Sequence, residues 1–313
     1  MGTTYTVRVV SPPSDLTAHD IRSLIEDELR IVDVSMSSYR ADSEISRFNS
    51  SSSTEWFATS AELARVVSAA LEVGRASKGA FDITVGPLVR VWGFGPDSQQ
   101  GLVAPDERAL AEVRTAVGLE HLEVRGDLAA LRKDVPQVQI DLNGIAPGYA
   151  VDRIAMRLER LDIRSYLVDI GGEVRMRGHN REGELWRIAV ERPEEMTSSP
   201  AAALRIDSRA VATSGGYRHY IERHGKRLAH TIDPRTGMPI ERIAASAVVI
   251  HDEAMYADAW ATAMNVLGPD EGYALAMQHG LAVMFIIDSG GGAIETKTTP
   301  AFEPYVTVFS EHE

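Results

Sequence analysis

The chain has 313 residues, 44% of them hydrophobic, and a formal charge of −13. That is enough apolar content to bury a core without disulfide or metal staples, and the negative balance excludes a surface-wide grip on nucleic acid, which needs clustered Lys and Arg. It has no cysteine, which excludes thiol catalysis, zinc–thiolate centres, iron–sulfur clusters and a cysteine-borne lipid.

No run approaches the ~20 apolar residues of a membrane helix, so no membrane insertion is expected. Met1 to Val10 lacks a basic stretch followed by an apolar run, so the expectation is either a cytoplasmic location for the chain as it stands or an export segment missing from this sequence. Residues 4–10 read as a strand, broken by Ser11-Pro12-Pro13. Ile21, Leu24, Ile25, Leu29 and Val32 fall on one helical face. The serine-rich stretch from Ser35 to Ser53 reads as loop. A second helix follows Ser60, with Leu63, Val66, Val67, Ala70 and Leu71 inward and Gly74 near its end. A third is expected from Pro105 to near Gly118.

Short alternating runs then dominate, at 121–125, 128–133, 137–142, 166–170, 172–177, 185–191 and 202–212. Helices are expected at about 146–161, 253–267 and 270–279. Glu194 to Ala203 is the best candidate for a mobile loop. This order of elements favours an α+β fold with mixed, largely antiparallel sheets and flanking helices over a strictly alternating one.

The stretch from Ala254 to Leu267 is apolar on almost every helical face, so it is expected to be buried, and Asp258 is its only charge. A buried carboxylate must find a partner or keep its proton. Thr262 lies one turn further on the same face. Together they offer hard oxygens suited to Mg²⁺ held with substrate phosphates. The competing reading pairs Asp258 with a basic side chain and turns the Thr262 hydroxyl back onto its own helix.

His230 precedes a tight turn punctuated by Pro234 and Gly237. It could accept a proton near neutral pH, or simply be a surface residue. Glycine turns follow probable strands at Asp141-Leu-Asn-Gly144, Asp169-Ile-Gly-Gly172 and Thr213-Ser-Gly-Gly216, where backbone can approach a phosphate. Aromatics among glycines, in Gly79-Ala-Phe-Asp82 and Trp92-Gly-Phe-Gly95, suit either a platform for a flat ring or core packing. No Rossmann, Walker or nucleophile-elbow glycine pattern occurs.

Taken in order, these segments resemble the ApbE family of FAD:protein FMN transferases. The resemblance rests on Met1-Gly-Thr3, Ser38-Tyr39, Ser43-Glu-Ile-Ser46, Gly79-Ala-Phe-Asp82 and Asp141-Leu-Asn-Gly-Ile-Ala146 running into Gly148-Tyr-Ala-Val-Asp152. It continues through Gly171-Gly172, Ser214-Gly-Gly216, His230 to Gly237, and Ala257-Asp-Ala-Trp-Ala-Thr262 ending at Leu267-Gly268. The resemblance implies one flavin-transferase domain over residues 1–313, with two lobes around a flavin cleft. It implies magnesium held by Asp258, Thr262 and the Gly144 carbonyl. It implies FAD contacts from Met1, Tyr39, Ala80, Phe81, Asp82, Asp141, the residue at 147 and Thr231. His230 matches the His needed for transfer.

The implied reaction passes FMN from FAD to a Thr or Ser of an acceptor flavoprotein in a Ser-Gly-Ala-Thr-like motif, releasing AMP. Two departures stand out. Position 147, often Lys in the family, is Pro147, and the position where some relatives carry a second acid is Ala261. Many relatives also carry an export segment ahead of the Met-Gly-Thr motif. A magnesium-dependent FAD pyrophosphatase and a non-catalytic FAD-binding protein remain as alternative readings.

Overall fold

These patterns resolve, in a computed structural model describing residues 3–95, 105–191, 201–215, 220–223, 226–240, 245–288 and 294–307, into an α+β fold. Its helices among the described residues are α1 (Ala18–Met36), α2 (Glu44–Ser50), α3 (Ala61–Ala76), α4 (Gly86–Val91), α5 (Glu107–Arg114), α6 (Ala146–Arg160) and α7 (Ala254–His279). The chain forms two compact units, one of residues 1, 30–146 and 220–241, the other of 2–29, 147–219 and 242–313.

The second unit is built on a seven-stranded sheet. Its strands run in the order Tyr5–Val10, Ser165–Ile170, Glu173–Arg177, Arg209–Gly215, Ala245–His251, Ala282–Asp288 and Ile294–Thr298. Every neighbouring pair is antiparallel. Strand alternation sends Leu167, Val174, Met176, Val211 and Val248 to one face, where they pack with Trp186, Leu204, Ile206 and Phe302. Trp186, Leu204 and Ile206 come from a three-stranded sheet of Trp186–Val190, Ala202–Ile206 and Val306–Thr307. The opposite face meets α6 and α7, through Arg175 to Asp152 and Asn265 to Ser214.

The first unit carries α2 to α5 and a small sheet ordered Phe57–Ala58, Ala130–Lys133, Leu122–Arg125. Here α3 buries Leu63, Val66, Val67, Ala70 and Leu71, the face its periodicity predicts. Ser60 caps it, its hydroxyl accepting from Leu63 N at 3.2 Å.

Several expectations are corrected. Ser35 to Ser53 is not all loop: α1 runs on to Met36, and α2 starts after Ser43, whose hydroxyl accepts from Ser46 N at 3.1 Å. Ile45 and Phe48 of α2 are buried; a helix this short is specified by its cap and its two apolar anchors, not by periodicity. The third helix is shorter than expected, since its cap is Asp106, accepting from Ala109 N, and it ends at Arg114. The run 137–142 forms no strand. Ile140 instead exchanges both backbone hydrogen bonds with the Asn49 side chain, at 2.7 and 2.8 Å, so a side-chain amide stands where a neighbouring strand would be.

The run 202–212 is two strands, parted at Asp207-Ser208, where Ser208 takes φ 54°. The short helix α4 and the strands Phe57–Ala58, Ala245–His251, Ala282–Asp288 and Ile294–Thr298 are among the elements the periodicity had not singled out. The loop expected over Glu194 to Ala203 lies mostly outside the described residues, and its last two residues already belong to a strand. No described helix is long and apolar enough to cross a membrane.

Candidate active site

In the first unit the Gly79-Ala-Phe-Asp82 segment is buried at Ala80, Phe81 and Asp82. Asp82 caps a short 3-10 turn: its Oδ1 accepts from Thr84 N at 2.7 Å and from Thr84 Oγ1 at 2.6 Å. That hydroxyl oxygen in turn accepts from Gly118 N at 2.8 Å. Burial pushes the Asp82 carboxyl above the usual range, while the two Thr84 bonds pull it down. The segment is brought against Asp141, whose N–H donates to Ile83 O at 2.7 Å. Burial likewise raises Asp141, offset by Asn143 N donating to its Oδ1 at 2.8 Å.

The approach beside Asp141 demands glycine, because a Cβ on Gly86 would sit 2.6 Å from Gln139 O. Ser38, Arg90 and Asp141 line one small cavity of about 150 Å³. Tyr39, next in the chain, is 67% exposed and offers its ring to solvent.

The His230 segment belongs to the same unit. His230 is exposed and Thr231 half-buried, with Thr231 O accepting from Ile240 N at 3.0 Å. Beyond it Gly237 turns at φ 73°, and Trp92 Nε1 donates to its carbonyl at 2.8 Å. The Arg114 guanidinium donates to the carbonyls of Thr236 and Arg235, both at 3.1 Å. Trp92 therefore serves as core and as a clamp on this turn, packed with Leu88 and Ile232, and not as a flat-ring platform. A cavity of about 560 Å³ opens where this segment meets Asp82, lined by Arg75, Lys78, Gly79, Glu120, Pro234 and Arg235 among others. Gly144 sits in the turn just ahead of α6. Met1 and Gly216 lie outside the described residues.

In the second unit, α7 is buried on nearly every side, as its composition predicts, until Gly268 (φ 74°, ψ −177°) and Pro269 break it. The two helices expected there are thus two stretches of one broken helix. Asp258 is 6% exposed, and Thr262, one turn on, is half-buried. Asp258 Oδ2 accepts from Gly148 N at 3.1 Å, and no basic side chain pairs with it among the described residues. Burial, and then the charge of Glu173, hold its carboxyl well above the usual range.

Gly148 allows this contact by having no side chain, since a Cβ would lie 2.3 Å from Ala254 O and 2.9 Å from Asp258 Cβ. Pro147 precedes it in the first turn of α6, and Ala261 is buried. Glu173 carried no role in the sequence reading. Its signal was an acid opening a strand directly after Gly171-Gly172. Among the described residues no cluster of three or more His, Asp or Glu forms a ready-made cation cage.

Comparison with known proteins bears on all of this. The ApbE family model matches residues 1–285. The chain belongs to the ApbE family. A curated relative from Vibrio cholerae, named FAD:protein FMN transferase, is 39% identical over 98% of this chain and 91% of its own length. One from Escherichia coli with the same name is 37% identical over 98% of this chain and 87% of its own. Among solved structures, the flavin transferase ApbE from Vibrio cholerae matches with a TM-score of 0.88 and 37% identity, covering 97% of this chain and 96% of that one. An ApbE protein from Thermotoga maritima matches at 0.84 with 28% identity, covering 96% of each. The family's α+β architecture therefore extends over nearly the whole chain.

Proposed function

We propose that this chain is a magnesium-dependent FAD:protein FMN transferase, moving FMN from FAD onto a Thr or Ser hydroxyl of an acceptor flavoprotein. The observation that carries the metal assignment is Asp258: a buried carboxylate with one amide donor among the described residues and the Glu173 acid near it. Burial and a neighbouring acid both disfavour the ionised Asp258 carboxylate, and a bound cation would offset both. The donor set is all oxygen and incomplete as a cage, which suits Mg²⁺, an ion that keeps waters and shares substrate phosphates.

Asp258, Thr262 and the Gly144 carbonyl would hold that ion. When bound, it supplies neutralising charge to the diphosphate of FAD as the bridge breaks. The acceptor oxygen forms a bond to the phosphorus that carries riboflavin. The bridging P–O bond breaks, and AMP departs with its electron pair. His230 accepts the hydroxyl proton and passes it to solvent. Tyr39, Ala80, Phe81, Asp82, Asp141, Pro147, Thr231 and Met1 form the flavin dinucleotide contacts. Pro147 brings neither a charge nor a backbone donor, so a cationic contact at that point is absent from this chain.

The deciding experiment is mass spectrometry of an acceptor bearing a Ser-Gly-Ala-Thr-type motif after incubation with the protein, FAD and Mg²⁺. A gain equal to one FMN is expected, on the motif hydroxyl, with AMP released in equal amount. FMN and AMP appearing with no labelled acceptor would point to hydrolysis instead, and intact FAD with no turnover to a binding protein.

A further inference from the structure

The N-terminus of α7, the helix bearing Asp258 and Thr262, is not capped by the residue that precedes it. Glu253 precedes it without a side-chain bond to the first turn. The orphan amides go to another helix: Asp152 of α6 accepts from Ala254 N at 2.9 Å through Oδ1 and from Met255 N at 2.8 Å through Oδ2. Arg175, from the strand that begins with Glu173, donates to the same carboxylate at 2.5 Å. Asp152 is 1% exposed. Four residues earlier on the same face of α6, Gly148 donates to Asp258.

One face of α6 therefore grips α7 at two points a turn apart, its first amides and its acidic side chain. A helix is stiff, rising ~1.5 Å per residue. Fixing its first turn fixes the height and rotation of Asp258 and of Thr262 beyond it. A carboxylate at the N-terminus also complements the positive end of the helix dipole.

We propose that Asp152, paired with Arg175, is a positioning residue that sets the cation affinity of the Asp258–Thr262 site. The inference rests on the metal reading given above. Residues that orient metal ligands typically cost ~10–100-fold in affinity when lost. Asp152→Ala alone leaves Arg175 unpaired in a mostly buried place, which invites misfolding. The test therefore uses Asp152→Ala combined with Arg175→Met, and separately Asp152→Asn, which keeps the shape and one acceptor oxygen.

Mn²⁺ binding in the presence of FAD is read by electron paramagnetic resonance of the free ion, beside wild type and Asp258→Ala. The double variant is expected to fold and to bind Mn²⁺ about 10-fold more weakly, with the Asn variant about 3-fold weaker. The Mg²⁺ concentration for half-maximal transfer rises in parallel, while kcat at saturating Mg²⁺ stays within about 3-fold of wild type. A purely structural role would lower Tm and leave the affinity of the folded protein untouched. Folded variants with wild-type Mn²⁺ affinity, beside an Asp258→Ala protein that has lost it, would overturn the role of Asp152 alone. Mn²⁺ binding indifferent to Asp258 would defeat the metal reading, and this inference with it.

Discussion

Asp82 and Asp258 are both buried acids raised by desolvation, yet their surroundings differ in kind. Asp82 is satisfied within two residues: Thr84 gives it an amide and a hydroxyl, and the chain of bonds passes on to Gly118. Among the described residues Asp258 receives one amide, and the charge that acts on it is another acid. The first carboxylate shapes a turn; the second keeps bonding capacity in reserve. A buried acid whose oxygens are already accounted for is a poor candidate for a cation ligand, whereas one left short of donors next to a like charge is a good one.

Four measurements break or sharpen that contrast. The largest effect is expected on activity. Asp258→Ala should lower FMN transfer at least ~1000-fold, or about 4 kcal/mol, measured as the initial rate of FMN attachment; a rate within tenfold of wild type would remove the metal assignment. Next comes Gly148→Ala, which drives a methyl into Ala254 O at 2.3 Å. It should cost about 2–4 kcal/mol of stability, seen in denaturant midpoints, with loss of transfer as the α6–α7 contact opens.

Thr84→Val should cost about 1–3 kcal/mol, because it strips the Asp82 carboxylate and Gly118 N of a partner while leaving the Thr84 amide in place. That loss belongs to the fold and should leave Mn²⁺ affinity measured without FAD unchanged.

The smallest effect runs in the opposite direction. The folded Asp258 carboxyl lies above its unfolded range, so its contribution is fully present below the ordinary carboxylate pKa and is lost as pH rises through the raised folded value. In metal-free buffer at pH 8, Asp258→Asn should therefore be more stable than wild type by about 1 kcal/mol, a gain of a few degrees in Tm. The gain should fade below about pH 3, where both states carry the proton, and added Mg²⁺ with FAD should stabilise only the wild type. If the Asn variant is the less stable one at pH 8, Asp258 has a partner that the present assignment omits.

Long elements with repeated spacing were legible from the residues. The apolar faces of α1 and α3, the oily stretch around Asp258 and the first three strands of the seven-stranded sheet follow from periodicity and turn chemistry. What escaped was held by single side chains reaching across the sequence. Asn49 pairs with Ile140 from 91 residues away and abolishes the need for a strand at 137–142. The Ser43 cap and two buried anchors make a helix out of a serine-rich stretch whose composition says loop. Among the candidate residues, Asp258, Thr262 and His230 were visible as residue types in telling places. Glu173 stood only as an acid after Gly171-Gly172, and the clamp of Trp92 and Arg114 on the His230 turn was not visible, because nothing near those two residues in the chain signals their contacts.

By itself the sequence determined that one acid would be buried in an otherwise apolar helix, since hydrophobic patterning is a local property that burial follows directly. It determined too, through the order of its motifs, the family to which the chain belongs. Only the tertiary structure decided what surrounds that acid: that α6 delivers one amide to Asp258 and a carboxylate to the helix start, and that among the described residues its charged neighbour is Glu173 and not an arginine. Whether a buried carboxylate becomes a strut or a ligand depends on donors more than a hundred residues away, and sequence spacing does not encode distances of that kind.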